Sequence, residues 1–304
     1  MQLYTIENDY IKVETFDYAA SVYQIYLKVD SEKQKVLSTP KTHELFVSNT
    51  LSYGRTIGRT AGRLHKTKET VKYVDFKDSE FLQHGGPNKF SLSTFKVIEH
   101  TPHKIVYFMH RDHLEDQYHG DLDVYITYEI EGSSLIVRHE AKTNSESLCN
   151  ITFHPYFNLN QSTSLNSHTL TVFSKYFLGQ NEKGQFNHKV SVIGTYKDYL
   201  KPRKLLIDQE SKLDDIFLLE QEHALRLETN SYQLDVYTNY PSLVLFTQNK
   251  PTMTDLSNAL SNSLFTGLAI EGQKTQSELN LLTKDDTYNY YTKYQFSIKR
   301  WKKD

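Results

Sequence analysis

Residues 122–141 read LDVYITYEIEGSSLIVRHEA, and apolar and polar side chains alternate on both sides of a central glycine-serine turn. The first run extends from Leu122 to Ile130 and the second from Leu135 to Ala141. A period of two is typical of β-strands with one buried face, because successive side chains point to opposite faces of a sheet. The stretch therefore predicts an antiparallel hairpin that turns at residues 132–134.

The same alternation continues outward from this hairpin in both directions. It recurs around Ile11 and Val13, and again in the tail from Tyr288 to Trp301. We find no long amphipathic helix and no alternation of strands with helices, which would indicate a parallel sheet. Residues 160–190 and 250–264 are rich in small polar side chains and are predicted to be loops over one end of the sheets. The sequence predicts an all-β protein of large antiparallel sheets, in one domain over residues 1–304.

The composition limits the possible classes of function. The chain has 304 residues, and its 35 Lys and Arg nearly balance its 37 Asp and Glu, for a formal charge of -2. This balance argues against nucleic acid or an anionic membrane surface as partner. Cys149 is the single cysteine, so no intrachain disulfide can form. We see no signal-peptide pattern and no apolar run of about 20 residues, so we expect a soluble, cytoplasmic protein.

The stretch Asn150–Leu159, which reads NITFHPYFNL, holds one titratable side chain among aromatic residues. Pro155 disfavours helical backbone at the residue before it, so His154 should end an extended segment. An imidazole beside an aromatic wall suits a proton donor that faces a sugar-sized ligand. A histidine packed at a strand end without a chemical role is the simpler interpretation of this stretch alone.

A second stretch, residues 267–273 (GLAIEGQ), changes this interpretation. Glu271 ends an apolar run there, and burial raises the pKa of a carboxyl group toward that of a useful base. We expect Glu271 to stay ionised near neutral pH and His154 to carry a proton in a useful fraction of molecules. A base and an acid of this kind could move protons to and from one small ligand.

Residues 54–63 (GRTIGRTAGR) repeat glycine and arginine at intervals of four. Each glycine would destabilise a helix by about 1 kcal/mol relative to alanine, so we expect a bent loop. Arg63 could aim its guanidinium group into a cleft and donate paired hydrogen bonds to hydroxyls or a phosphate. One or two of the three arginines should instead support strands through salt bridges.

Two further pieces of the sequence could face a ligand. His84 precedes Gly85 and Gly86, which permit a close approach of the backbone to a ligand, and a plain turn histidine remains an equal alternative. Asp214 and Asp215 begin an apolar run, where they could accept hydrogen bonds from sugar hydroxyls or simply form a turn.

The histidines between residues 100 and 119 do not predict a metal site. Zinc needs three or four converging ligands, whereas residues three apart on a strand point to opposite faces. The sequence also lacks the glycine-rich nucleotide motifs, the serine-esterase motif and the paired-histidine motif of zinc proteases. We therefore expect no metal and no nucleotide cofactor.

Six pieces of this sequence, taken in order, resemble the aldose 1-epimerase (galactose mutarotase) family. They are the loop 58–64, residues 82–86 (LQHGG), Asn150–Leu159, Leu213–Phe217, Phe246–Asn249 and Ala269–Gln273, with Asn280 beyond. The resemblance covers nearly the whole chain and implies a β-supersandwich fold. It also implies an isomerase that interconverts the α and β anomers of free aldohexoses without a metal or another cofactor.

The resemblance implies roles for individual residues as well. Glu271 would remove the proton of the anomeric hydroxyl, His154 would protonate the ring oxygen, and His84 would assist at the polar edge of the sugar. Four residues would hold sugar hydroxyls: Arg63, Asp214 (with Asp215 as the alternative), Gln248 and Gln273. The implied partner is a small sugar, bound by a monomer or a homodimer.

Departures from the family pattern bear on the substrate. Gly62 stands where the family usually has asparagine, so we expect free space beside Arg63 and a looser choice among hexoses; Gly272 replaces a common threonine. A hexose-6-phosphate 1-epimerase of the same superfamily is an alternative, with Arg55 or Arg59 recruited to the phosphate. A non-catalytic sugar-binding protein is another, although it would not need an acid–base pair. A carbohydrate lyase or hydrolase would call for a second carboxylate at glycosidase spacing.

Overall fold

The predicted hairpin lies in the middle of a nine-stranded sheet in the computed structural model, which describes residues 1–49 and 51–299. From one edge to the other, the nine strands are Arg203–Lys204, Thr169–Val172, His223–Glu228, Tyr232–Thr238, Tyr288–Ile298, Ser134–Thr143, Leu122–Glu131, Lys104–Arg111 and Lys96–His100. The predicted tail strand therefore ends at Ile298, and Trp301 lies outside the described residues.

The hairpin itself turns as the sequence predicts. Glu131 pairs with Ser134, so Gly132 and Ser133 form a two-residue turn. Gly132 has φ 54°, a left-handed conformation that glycine adopts without a steric penalty. The apolar positions of the strand Leu122–Glu131 are buried, as the period of two requires.

A second sheet has six strands and carries most of the candidate site. In spatial order they are Tyr156–Phe157, Leu268–Gln273, Ser242–Phe246, Asp214–Leu218, Tyr176–Gln180 and Phe186–Ser191. Two of these strands, with Thr169–Val172 of the larger sheet, fall within residues 160–190, so the loop prediction there is wrong. The outer strand Phe186–Ser191 is largely exposed and tolerates polar side chains, which hides it in the sequence. Residues 250–264 form a loop, as predicted.

The remaining elements are short. A four-stranded sheet consists of Leu3–Glu7, Ile11–Phe16, Ser21–Val29 and Glu32–Lys35. Three pairs of strands are Arg55–Ile57 with Thr152–His154, Arg63–His65 with Phe81–Gln83, and Ser147–Leu148 with Leu281–Leu282. The helical segments are the α-helix His43–Ser48 and the 3-10 turns Thr70–Lys72, Phe90–Leu92 and Leu165–Ser167. Within residues 1–49 and 51–299, none of the helices has the length and apolar character that a membrane crossing needs.

Side chains from the three large sheets meet in one hydrophobic core. Val13, Ile126 and Leu245 come from different sheets and belong to the same buried cluster, which runs from Ile6 to Phe296. Burial of one such side chain stabilises the fold by about 1.5–3 kcal/mol, so the core holds the sheets together. All ladders between the described strands are antiparallel. The prediction of an all-β protein with large antiparallel sheets is confirmed, and the single domain remains a prediction.

Candidate active site

Glu271 and His154 lie side by side in one cleft. Glu271 belongs to the buried strand Leu268–Gln273 and is 3% exposed. His154 ends the strand Thr152–His154, as the following proline predicts, and is 5% exposed. Nε2 of His154 lies 3.2 Å from Oε1 of Glu271. The fold therefore places a carboxyl group and an imidazole where both could reach the same carbon atom of a ligand.

The cleft has a volume of about 520 Å³, a size suited to a small molecule. Six of the predicted site residues line it: Arg63, His84, His154, Asp214, Glu271 and Gln273. Oε1 of Gln273 is buried without a hydrogen-bond partner among the described residues, so this amide is free to bind a ligand. The polar groups thus converge from strands and turns that are far apart in the sequence.

Burial shifts the two groups of the central pair in opposite directions. It raises the pKa of Glu271 well above its ordinary value, with a further contribution from the negative charge of Asp214. It lowers the pKa of His154 to about 4, because the imidazolium form would lose its hydration beside Tyr156. The predicted upward shift for Glu271 is confirmed, whereas the prediction that His154 is partly protonated near neutral pH is wrong. Burial thus disfavours the charged form of both groups, and the ionised state expected for Glu271 near neutral pH stays a prediction.

His84 stands next to this pair as a neutral hydrogen-bond donor. Its ring lies edge-on to the ring of His154, with centroids 5.8 Å apart. Its Nδ1 accepts a hydrogen bond of 3.2 Å from the N–H of Gly62, so the neutral ring carries its proton on Nε2. Burial, followed by the neighbouring His154, lowers the pKa of His84 to about 3. Of the two readings of His84, the structure favours the one that faces a ligand.

Gly85 permits a close approach of its backbone to the backbone of Gly58 and not to a ligand. It has φ +95°, and a Cβ atom there would lie 1.9 Å from the carbonyl oxygen of Gly58. The turn after His84 therefore packs directly on the loop that follows Arg55–Ile57. The prediction that this glycine serves a ligand is wrong, because the space is taken by backbone.

Arg55 and Arg59 are structural residues and do not reach the cleft. Arg55 donates to the carbonyls of Ser91 and Phe46, at 3.1 and 2.8 Å. Nε of Arg59 lies 2.7 Å from the carboxylate of Asp116, and both side chains are almost fully buried. Breaking the buried pair of Arg59 would cost about 3–5 kcal/mol. The guanidinium group of Arg55 is held by backbone carbonyls, so neither arginine is free for another anion. The salt-bridge interpretation is confirmed for Arg59, and their recruitment to a sugar phosphate is wrong.

The prediction that Gln248 holds a sugar hydroxyl is also wrong. It is fully buried and does not line the cleft. Its Nε2 donates to the carbonyls of Lys250 and Ser263, at 2.8 and 3.2 Å, and its Oε1 accepts from the N–H of Thr266 at 3.1 Å. The amide therefore braces the loop 250–264 and cannot hold a sugar hydroxyl.

Asp214 is the cleft-facing member of the aspartate pair. It begins the strand Asp214–Leu218 and lines the cleft together with Arg63. Asp215 is buried on the other side of the strand, where it forms an ion pair with Lys197. Because neighbouring residues on a strand point to opposite faces, only one of the two can reach the sugar.

The two asparagines that bracket His154 hold the surrounding loops. Asn150 exchanges hydrogen bonds with the backbone of Lys274, at 3.1 and 2.9 Å. Asn158 donates to the carbonyls of Ser162 and Thr266, at 2.8 and 2.7 Å. They fix the segment that carries His154 relative to the strand that carries Glu271.

One group of potential metal ligands occurs among the described residues, and it lies outside the cleft. The ligand atoms of Asp112, His113 and Asp121 are within 4.8 Å of one another. Nδ1 of His113 is already 2.7 Å from the carboxylate of Asp121, so the group is bonded internally. The spacing of the histidines in the sequence does not indicate this group. The lack of a metal requirement stays a prediction.

Comparison with known proteins places this geometry in a family. A family model described as Aldose 1-epimerase matches residues 2–295. The chain belongs to the aldose 1-epimerase family. Galactose mutarotase from Homo sapiens is 26% identical over 278 residues, or 81% of this chain and 79% of that protein. Aldose 1-epimerase from Streptococcus thermophilus is 26% identical over 288 residues, or 83% of this chain and 81% of that protein. The family consists of isomerases that act on carbohydrates.

Solved structures agree on the fold. The aldose epimerase homologue from C. elegans has a TM-score of 0.86 at 20% identity and covers 98% of this chain and 99% of that one. Galactose 1-epimerase from Lactobacillus acidophilus NCFM has a TM-score of 0.83 at 22% identity, over 97% of this chain and 94% of that one. The β-supersandwich of the aldose 1-epimerase family, expected from the sequence, is confirmed.

Gly62, which departs from the usual asparagine of the aldose 1-epimerase family, does not leave open space. It has φ +69°, and a Cβ atom there would lie 1.5 Å from Nε2 of Gln276. The side chain of Gln276 also lines the cleft beside Arg63. The prediction of an empty site is therefore wrong, because an amide from a distant segment occupies it.

We predict that Gln276→Ala changes the choice among hexoses. Loss of the amide opens the space beside Arg63 and removes one hydrogen-bonding group, so the ratio of kcat/KM for glucose and galactose should shift roughly three- to tenfold. The adjacent exposed Ser277 gives a control, Ser277→Ala, which should keep the ratio. An unchanged ratio in Gln276→Ala would mean that this amide does not face the sugar.

Sequence reasoning also missed other cleft residues. Lys89, Lys250 and Phe186 line the cleft with the predicted residues. Lys89 follows the His84 turn closely, so its position along the chain was a usable signal. Phe186 lies in a strand that was predicted as loop, and nothing in the sequence marks it as a cleft residue.

Proposed function

We propose that this protein is a mutarotase that interconverts the α and β anomers of free aldohexoses by acid–base opening and closing of the sugar ring. The observation that carries the proposal is the 3.2 Å contact between Glu271 and His154 in a cleft of sugar size. The anomeric oxygen and the ring oxygen are both bonded to C1, so the base and the acid must converge on one point. A monomer or homodimer and a cytoplasmic location remain predictions from the sequence.

Ring opening needs two proton transfers that balance. The carboxylate of Glu271 takes the proton of the anomeric hydroxyl, and the electron pair left on that oxygen forms the C1 carbonyl. The bond between C1 and the ring oxygen breaks, and His154 gives its proton to the departing oxygen. After rotation about the C1–C2 bond, the reverse transfers close the ring on the other face of the carbonyl.

The burial of the pair supports this scheme. After the ring opens, Glu271 is protonated and His154 is neutral, which is the state that burial favours. The reactive state has a carboxylate at Glu271 and an imidazolium at His154, whose Oε1 and Nε2 atoms lie 3.2 Å apart. The site thus favours the open-chain intermediate relative to the charged pair that precedes it.

The other residues of the cleft would hold and polarise the sugar. His84 offers a neutral N–H at Nε2, which can donate to a hydroxyl or to the ring oxygen without competing for the transferred proton. Arg63 offers paired donors, and Asp214 offers an acceptor for vicinal hydroxyls. Gln273 has a free amide oxygen for the same purpose.

The test is polarimetry on freshly dissolved α-D-glucose and α-D-galactose, after subtraction of the spontaneous rate. We expect the protein to accelerate the approach to anomeric equilibrium without any added cofactor. The rate should survive exhaustive treatment with EDTA, since the proposed transfers need no metal. A folded protein that accelerates no aldose would overturn the proposal, and activity lost with EDTA but restored by zinc or manganese would overturn its metal-free form.

A further inference from the structure

The cleft contains three cationic side chains without an anionic partner. Arg63, Lys89 and Lys250 line it together with the proposed acid and base. Within residues 1–49 and 51–299, none of the three forms an ion pair. Other cations near the site are paired: Lys197 with Asp215, and Arg59 with Asp116.

The carboxyl groups of the cleft do not balance this charge. Asp214 and Glu271 are the two acidic residues that line it, against the three cations Arg63, Lys89 and Lys250. The cleft therefore carries a net positive charge, although the whole chain has a formal charge of -2. The positive charge is a local property of the site and does not follow from composition.

The three cations reach the cleft from separate elements and surround His84. Arg63 begins the strand Arg63–His65, Lys89 precedes the turn Phe90–Leu92, and Lys250 follows the strand Ser242–Phe246. All three line the same cleft as His84, and each helps to lower the pKa of its imidazole. Lys89 is half-buried.

A neutral hexose adds no negative charge to a cleft in which the cations outnumber the carboxyl groups. When a ligand excludes water from the cleft, each unpaired cation loses hydration, and hydroxyl groups compensate for that loss only in part. A phosphate monoester or a carboxylate would accept paired hydrogen bonds from the guanidinium fork and one from each ammonium group. Such an anion is the ligand chemistry that this arrangement fits.

We propose that the preferred substrate is an aldose that carries an anionic group, held by Arg63, Lys89 and Lys250. The inference rests on the proposed anomer interconversion and names its substrate class. Neutral aldohexoses react through the same acid–base pair but lack the anionic contact. The sequence suggested Arg55 and Arg59 for a phosphate, and the structure assigns this role to a different set of cations.

The first experiment compares D-glucose, D-glucose 6-phosphate and D-glucuronate by NMR exchange between anomers, after subtraction of each spontaneous rate. We expect kcat/KM for at least one anionic sugar to exceed that for glucose by about tenfold or more, and the anion preferred identifies phosphate or carboxylate. This advantage should decrease as salt is added, because screening weakens the interaction, whereas the rate with glucose should not. Equal or better kcat/KM for glucose would overturn the inference while leaving the proposed function intact.

Single-residue variants test whether Lys89 and Lys250 cause the preference for an anionic sugar. Lys89→Met and Lys250→Met keep the length of the side chain and remove its charge, so each should lower the ratio of kcat/KM for the anionic sugar to that for glucose by about tenfold. Lys142→Met removes one exposed positive charge from the strand Ser134–Thr143, outside the cleft, and should keep the ratio. If all three variants shift the ratio equally, only overall charge matters and the inference is overturned. If the folded wild-type protein accelerates none of the three sugars, the proposed function itself fails.

Discussion

Glu271→Gln should lower the rate of anomer interconversion by about 10²–10⁴-fold, since the variant keeps the shape of the side chain but cannot accept a proton. Glutamine fits the buried strand Leu268–Gln273, so the loss should appear in kcat and not in folding. The measurement is polarimetry on α-D-glucose, with circular dichroism to verify the fold. The matched control Glu220→Gln, at an exposed glutamate outside the cleft, should retain the wild-type rate.

Glu271→Gln should also change how the free energy of unfolding depends on pH. Burial raises the pKa of Glu271, so the folded protein binds a proton that the unfolded chain has already lost. The free energy of unfolding should therefore decrease as pH rises from the ordinary glutamate value toward the raised one. Glu271→Gln removes this decrease.

A variant with more than about a tenth of the wild-type rate would exclude Glu271 as the base, because the expected loss is at least ~100-fold.

His154→Asn should also lower the rate by about 10²–10⁴-fold, because the proton can no longer be delivered to the ring oxygen. Asparagine keeps a polar group next to Glu271 but cannot carry a transferable proton near neutral pH. The measurement is the same rate assay, with His188→Asn as control at an exposed histidine that does not line the cleft. Retention of more than about a tenth of the rate would exclude this role for His154.

His154 and Glu271 should change the free energy of unfolding with pH in opposite directions. Burial lowers the pKa of His154 to about 4, so the unfolded chain takes up a proton at a higher pH than the folded protein does. Wild-type stability should therefore decrease as pH falls from the ordinary histidine value toward 4, and His154→Asn should lessen that decrease. Urea unfolding at several pH values measures it.

The two residues should behave as one unit in catalysis. The rate profile of the wild type should be bell-shaped, and its two limits belong to the pair, because the two groups are in contact. The double variant should lose less than the product of the two single losses. The residual activity of Glu271→Gln should lack the acidic limb of the profile.

Local sequence pattern was sufficient for strands in which apolar and polar side chains alternate regularly. The hairpin at residues 122–143 follows the apolar period of two, including its turn at Gly132. The prediction was wrong for residues 160–190, where it missed the mostly buried strands Thr169–Val172 and Tyr176–Gln180. It also missed the exposed strand Phe186–Ser191, which has no apolar face to mark it. Its pairing with Tyr176–Gln180 supplies the stabilisation that its own composition does not indicate.

The resemblance to the aldose 1-epimerase family named most of the cleft, and its errors have a common cause. Gln248 is near the site in sequence, but its side chain is used by the loop 250–264. Gly62 suggested free space that Gln276 fills from another segment. Gln276 is distant from Gly62 in the sequence, and Gln248 bonds to Ser263 and Thr266 as well as to the nearby Lys250. Local sequence pattern does not indicate these contacts.

The sequence by itself determined the strand pattern, the family and the identity of the candidate acid and base. Only the tertiary structure decided that Glu271 and His154 touch, since strand Tyr156–Phe157 pairs with strand Leu268–Gln273 and brings the two segments together. It also decided which cations are buried in ion pairs and which remain in the cleft. The physical reason is that strand formation depends on the alternation of nearby residues, whereas burial, charge pairing and pKa depend on which distant segments pack together.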